Sequence, residues 1–197
     1  MAPSRLRNAW LGTAMTIASP DTAFANALAQ GLSSNNFRAY TSNDIVGVEV
    51  GGAVKNVLAV GAGLSDGLGF GSNTRIALIT RGLKEMTRLG VALGAEAHTF
   101  MGLAGLGDLV LTCTDDQSRN RRFGLLLATG ATPEAALGEI GQSVEGYAGA
   151  RAIHAVATRA GVEMPLCHMV YRVLYERLPA RDAVRELMSR PLKAEVA

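Results

Sequence analysis

Cysteine is scarce in this sequence: Cys113 and Cys167 are its only thiols in 197 residues, far apart and in no CxxC pair. That spacing suggests neither a disulfide framework nor a zinc site, and it fits reduced thiols in the cytoplasm. An excess of one charge is also missing. The 19 basic and 17 acidic side chains leave a formal +2, too little for a general electrostatic grip on nucleic acid or a membrane. An uninterrupted apolar run is lacking too. The most apolar segment, Val46 to Ser65, carries Glu49, Lys55 and several glycines, and reads as a core helix, not a membrane span. Arg5 and Arg7 precede no apolar block with a small-residue cleavage site, so no secretion signal is read, and residues 1–12 are expected to be a disordered or artificial leader. His98, His154 and His168 show no ligand-like spacing, so no metal is expected.

What is present is a hydrophobic share of 48% with 23 glycines, enough for a sizeable globular core. Thr13 to Ser19 is β-compatible. Ser19-Pro20 reads as N-cap and first helical position, and apolar residues then recur at Ala23, Phe24, Leu28 and Leu32. Phe37 to Tyr40 is a second short strand, so residues 13–44 form one βαβ unit, the trailing edge of a larger parallel sheet. From Thr41 onward the spacing is helical, with breaks at Gly67 to Gly71, Gly94, Gly102 to Gly107, Gly130 to Pro133, Gly161 and Pro179. Helices are expected to open near Ile45, Thr74, Ser118, Ser143 and Pro165, and after Pro179. The fold class is therefore mainly α, with residues 45–197 an all-α domain.

Lys55 lies mid-helix in Gly51-Gly-Ala-Val-Lys-Asn-Val-Leu58, with no carboxylate three or four positions to either side. Gly51 and Gly52, one turn earlier, are expected to leave room beside its ammonium for a backbone or a ligand. Such a lysine is either a general acid or base, or a snorkelling surface residue. Asp108 follows the glycine-rich Gly102-Leu-Ala-Gly-Leu-Gly107, and could orient a substrate hydroxyl or the lysine, or simply cap a helix. Ser118-Arg-Asn-Arg-Arg-Phe123 joins a cap residue to three arginines, an anion-site candidate with a solvated basic turn as its alternative. Gly61-Ala-Gly-Leu-Ser-Asp-Gly67 mimics a dinucleotide fingerprint, but it follows a helix where that fingerprint needs a strand. It is expected to end the Lys55 helix instead.

Five segments in order, Glu49 to Asn56, Gly61 to Gly67, Thr80 to Met86, Gly102 to Leu109 and Ser118 to Gly124, closely resemble the bacterial NAD(P)-dependent glycerol-3-phosphate dehydrogenases, a resemblance running from about Thr13 to near Met188. It implies an all-α domain of the 6-phosphogluconate dehydrogenase C-terminal type, preceded by the last βαβ portion of a Rossmann domain. By the same resemblance Lys55 is the proton donor and acceptor, and Asp108 the carboxylate beside substrate and lysine. Asn56, Thr112, Ser118, Arg119 and Asn120 join them in binding the substrate, the last three at its phosphate. Arg119, Ser143 and Glu145 match the places that meet the nicotinamide cofactor.

The activity implied is the reversible reduction of dihydroxyacetone phosphate to sn-glycerol 3-phosphate with NADH or NADPH, a step that supplies phospholipid backbones. NAD(P)H would be bound largely by a nucleotide-binding portion that the 197 residues do not contain, so the chain alone is expected to be inactive. The expected setting is the cytoplasm, with a small phosphorylated substrate, no metal, no nucleic acid, no membrane span and room for a homodimer. Two rivals stand beside this reading: a dehydrogenase of another small hydroxy compound, and a non-catalytic helical interaction or dimerisation module derived from the same family.

Overall fold

The computed structural model describes residues 12–189; the expected leader, as far as residue 11, lies outside the described residues. Strand β1 (Thr13–Ala18) and strand β2 (Phe37–Ser42) pair in parallel, from Thr13 opposite Phe37 to Ala18 opposite Ser42. Helix α1 (Thr22–Leu32) is the crossover. Its cap is Asp21 and not Ser19-Pro20: the Asp21 carboxylate accepts from the Phe24 N–H at 2.9 Å, while Ser19 Oγ only accepts from Asp21 N–H at 3.1 Å. The expected apolar face is also turned. α1 buries the small Ala25 and Ala29, and leaves Phe24, Leu28 and Leu32 exposed.

All that follows among the described residues is helical. The central helix α2 (Ile45–Gly67) packs against α3 (Ser72–Ala92), α4 (Asp108–Thr114), α5 (Arg119–Ala128), α7 (Glu145–Ala160) and α8 (Pro165–Tyr175). Helices α6 (Pro133–Ile140) and α9 (Ala180–Met188) pack outside it, on α5 and α8. α6 is an addition to the expected set, although its signal was local: Thr132 caps it through Ala135 N–H and Pro133 is its first residue. By length and composition α2 could cross a membrane, contrary to the interruption expected from Glu49, Lys55 and its glycines. However, 56% of its most apolar window is buried inside the fold, with Val54, Val57, Leu58, Ala59 and Val60 all at 0–1% exposure.

Asp44 starts α2. Its carboxylate accepts from Gly47 N–H at 2.8 Å, from Glu96 N–H at 2.9 Å and from the Thr99 hydroxyl at 2.6 Å. Burial alone would raise its pKa, but these three donors hold it below the ordinary carboxylate value. The glycine-rich Gly61 to Gly67 forms the last turns of α2, which ends at Gly67 as expected. Gly63 rests on the backbone of Arg121 and Leu125, and Gly124 of α5 rests on the backbone of Val60 and Leu64. A Cβ at either position would collide with the other helix, so these glycines serve close crossing and not a turn.

Further from α2, Glu85 of α3 is 4% exposed and caps α8. Its oxygens accept from the N–H groups of Leu166 at 2.7 Å and Cys167 at 3.2 Å, next to Pro165, which has no N–H to offer. Burial raises the Glu85 carboxyl to about 7, against the downward pull of those donors. In the unfolded chain it returns to an ordinary carboxyl near 4.5. Between these values the folded chain binds the extra proton, so this residue's contribution to stability falls as pH rises from about 4.5 to about 7. Glu85→Gln, which cannot ionise, is expected to flatten that fall. Urea midpoints of both proteins at about pH 5 and about pH 7.5 measure it, and equal declines would place the titration elsewhere.

Candidate functional site

The site is built around Lys55, half-buried on α2 with 21% of its side chain exposed. Its ammonium donates to Asp108 Oδ2 at 2.6 Å, an ion pair between residues 53 positions apart. The route to Asp108 is unusual. After α3 the chain makes a 3₁₀ turn (Ala97–Met101) and then a π turn (Leu103–Gly107) that runs directly into α4. Asp108 is the first residue of α4, and Gly107 holds the cap position, so the alternative of a capping aspartate is set aside. The two glycines beside Lys55 divide their work. Gly51 is filled from outside, since a Cβ there would strike the Ala104 carbonyl of the π turn, while the corresponding space at Gly52 is open for 4 Å. The room expected beside the ammonium is therefore on the Gly52 side alone.

Thr112, one turn along α4, donates its hydroxyl to the Asp108 carbonyl at 2.6 Å and keeps its oxygen lone pairs for another donor. A second cluster adjoins the lysine. Asn56, 7% exposed, donates through Nδ2 to Glu145 Oε2 at 2.7 Å and to Gly52 O at 3.1 Å. Its Oδ1 accepts from Asn120 Nδ2 at 2.9 Å, and Asn120 Oδ1 accepts from Gly146 N–H at 2.8 Å. The two amides thus tie α2, α5 and the start of α7 into one ring, and they set the exposed Glu145 carboxylate beside the lysine's helix. Ser143 is exposed two residues before it.

The arginine cluster separates into different roles. Ser118 is the cap of α5, accepting from Arg121 N–H at 3.3 Å. Arg121 is buried and belongs to the scaffold: it reaches Asp66 at 2.7 Å and Asp116 at 2.6 Å, while Asp66 also binds Arg75 at 2.7 Å. Burial would lower the Arg121 pKa, but the two carboxylates raise it. Arg122 and Arg119 are exposed, and Arg119 contacts Gln142 Oε1 at 3.5 Å. The expectation of three arginines at an anion site is thereby reduced, because Arg121 is already neutralised. Asn120 likewise has its carbonyl oxygen and one N–H engaged within the protein. Neither thiol offers a nucleophile: burial pushes Cys113 up to about 12 and Cys167 well above its ordinary value.

Of the residues expected at the site, the structure gathers Lys55, Asp108, Asn56, Asn120 and Glu145 through direct hydrogen bonds, with Thr112 attached through the Asp108 backbone. Asp66 and Arg75 escaped the reading of the sequence, and Arg121 was read for an anion instead of for Asp66. Asp66 lies inside the glycine-rich decoy, and its Arg121 partner is 55 positions away, so no local pattern marked them.

Comparison with known proteins gives the family and the fold. Residues 44–185 match the family described as NAD-dependent glycerol-3-phosphate dehydrogenase C-terminus. A glycerol-3-phosphate dehydrogenase [NAD(P)+] of Aliivibrio fischeri is 59% identical over 184 residues, covering 93% of this chain and 54% of the relative. One from Aeromonas salmonicida is 58% identical over 188 residues, covering 95% and 56%. The crystal structure of the Coxiella burnetii glycerol-3-phosphate dehydrogenase superposes with a TM-score of 0.89 at 50% identity, over 92% of this chain and 56% of that one. The Saccharomyces cerevisiae enzyme gives 0.80 at 26% identity, over 91% and 55%. The chain spans about half the length of the curated relatives it matches.

The amide ring yields a stability test. Asn120→Ala leaves Asn56 Oδ1 and Gly146 N–H buried without their partner, and each unsatisfied group costs about 1–3 kcal/mol. A loss of at least ~2 kcal/mol in urea unfolding is expected; a loss below about 0.5 kcal/mol would mean that the ring fastens nothing.

Proposed function

The chain belongs to the NAD-dependent glycerol-3-phosphate dehydrogenase family, and from that membership we propose that it supplies the substrate-binding and proton-transferring half of an oxidoreductase. The reaction is the reversible reduction of dihydroxyacetone phosphate to sn-glycerol 3-phosphate, in the cytoplasm, feeding phospholipid synthesis. The observation that carries this reading is the 2.6 Å Lys55–Asp108 pair beside the open face at Gly52. In this division residues 13–44 are the trailing edge of a nucleotide-binding domain, and residues 45–197 the catalytic one.

NADH or NADPH, when bound, supplies a hydride to the carbonyl carbon. The residues present fit the nicotinamide end of that cofactor: Glu145 offers an exposed carboxylate held by Asn56, the residue after Lys55, and Ser143 is exposed two residues before it. They do not fit its pyrophosphate. The strand-to-helix turn between β1 and α1 is Ser19-Pro20-Asp21, where the Asp21 carboxylate already takes the helix N–H that a phosphate would need. The pyrophosphate grip is therefore assigned outside the described residues, and turnover to a polypeptide that includes it.

As the carbonyl carbon is reduced, its π-electron pair moves onto oxygen, and negative charge grows there. The Lys55 ammonium meets that charge and passes one proton to it, leaving the alcohol and a neutral lysine. In the reverse direction the neutral amine takes the hydroxyl proton. Asp108 holds the ammonium in place through its 2.6 Å bond and is the carboxylate that a substrate hydroxyl would meet next. Arg119, exposed at the start of α5, with Ser118 and the remaining Asn120 N–H, binds the phosphate that does not react, so that its binding energy orients the carbonyl. Thr112 adds an acceptor on the Asp108 side.

Two substitutions test these roles in a polypeptide that joins this chain to a relative's nucleotide-binding domain. Lys55→Met keeps the stem and its packing but removes the proton donor. A fall in kcat of roughly 10²–10⁴-fold is expected, with the melting temperature unchanged. A variant that melts normally and turns over within about tenfold of the parent would remove Lys55 from proton transfer.

Arg119→Ala is expected to lower kcat/KM for dihydroxyacetone phosphate by about 1.5–3 kcal/mol, while the unphosphorylated ketone is little affected. Equal losses on both substrates would withdraw Arg119 from the phosphate.

A further inference from the structure

About two and a half turns along α7 from Glu145, a feature appears that the proposed reaction does not use. His154 of α7 and His168 of α8 bring their Nδ1 atoms to 3.4 Å, with ring planes inclined by 25° and centroids 5.1 Å apart. The Tyr171 ring stacks on His154 at 4.0 Å and 14°, holding that imidazole in place. Both histidines are half-buried and border a cavity of about 280 Å³ with Thr158, Glu163 and Pro165.

We propose that His154 and His168 chelate a borderline transition-metal ion of the Zn²⁺ class between their Nδ1 atoms, with solvent in the remaining coordination positions. The spacing is the main argument. Two nitrogens at about 2.0–2.1 Å from a tetrahedral Zn²⁺ lie about 3.3–3.4 Å from each other, and these two already stand at 3.4 Å, so the ion replaces the shared N–H···N proton without moving either helix. Imidazole is a ligand type that suits Zn, Cu and Ni.

Metal binding needs the neutral ring. Cys167 is adjacent in sequence but does not join: its backbone and thiol face Glu85, and burial keeps the thiol protonated. No group of three or more histidine, cysteine or carboxylate side chains gathers among the described residues. The site is accordingly a two-point chelate that an ion can enter and leave, and not a closed structural centre.

The test is a titration of the 197-residue chain, stripped with a chelator, with Zn²⁺ alone, followed by calorimetry and by the histidine ring ¹⁵N resonances. One saturable equivalent is expected, with the Nδ1 signals of His154 and His168 shifting together and that of His98, exposed beside Glu96, unmoved. His154→Gln and His168→Gln should each weaken binding by more than about tenfold, and His98→Gln should leave it unchanged. The proposal is overturned by absence of saturable binding, by shifts confined to His98, or by affinity that survives both glutamine variants. Loss of binding in a folded Cys167→Ser chain that keeps both histidines would also overturn it. Should a glutamine variant fail to fold, the ring resonances of the parent chain decide.

Discussion

The contact on which the rest depends is the meeting of α2 and α5 backbone to backbone. Gly63 and Gly124 leave out the Cβ atoms that would hold the helices apart, each lying on the other helix's main chain. Close packing of this kind lets dispersion act over the length of the crossing and puts both ends of the contact in fixed register. One end holds Asn56 against Asn120, and the other sets Asp66 against Arg121. With any larger residue at the crossing, the two amides would part, and with them the start of α7 and the Glu145 carboxylate.

Charge in the protein is arranged in pairs of different depth. Arg121 and Asp66 are nearly out of solvent, at 10% and 11% side-chain exposure, and Arg75 closes the group. Removing one member would strand the others, so the cluster favours one arrangement of α2, α3 and α5. The Lys55–Asp108 pair is wetter, at 21% and 35%, and the space at Gly52, one turn before Lys55, is open. Such access suits the proton exchange proposed for this pair; a pair that only locks helices together does not need it.

Much of this was legible because it is written in local patterns. The parallel βαβ unit, the all-helical remainder and the starts of α2, α5 and α8 follow from periodicity and from residues such as Ser118 and Pro165. The resemblance named Lys55 and Asp108, and the structure puts them in contact. Misreadings arose where one residue type serves two purposes. Ser19-Pro20 had the composition of a cap, yet Asp21 offers the better acceptor, and the glycine-rich close of α2 also holds Gly63, a packing point that no turn signal marks. Arg121 read as an anion ligand because its carboxylate partner lies on another helix. Glu85 capping α8, 81 positions away, and His154 meeting His168 depend on which helices neighbour each other, which no single stretch of sequence records.

The π turn at Leu103–Gly107 has a consequence for how this segment can vary. A π turn is one residue wider than the α turn it replaces, and here it ends directly at Asp108. Shortening it by one residue would rotate everything downstream by about 100° around the helix axis, carrying the carboxylate away from Lys55 even though no residue of the pair had changed. The identities of Leu103 and Leu106 can drift within the limits of packing, but the length of the segment cannot. Chains that share this lysine and aspartate should therefore differ in this stretch by substitution, and insertions or deletions should collect in the exposed connections elsewhere, such as the one between α5 and α6.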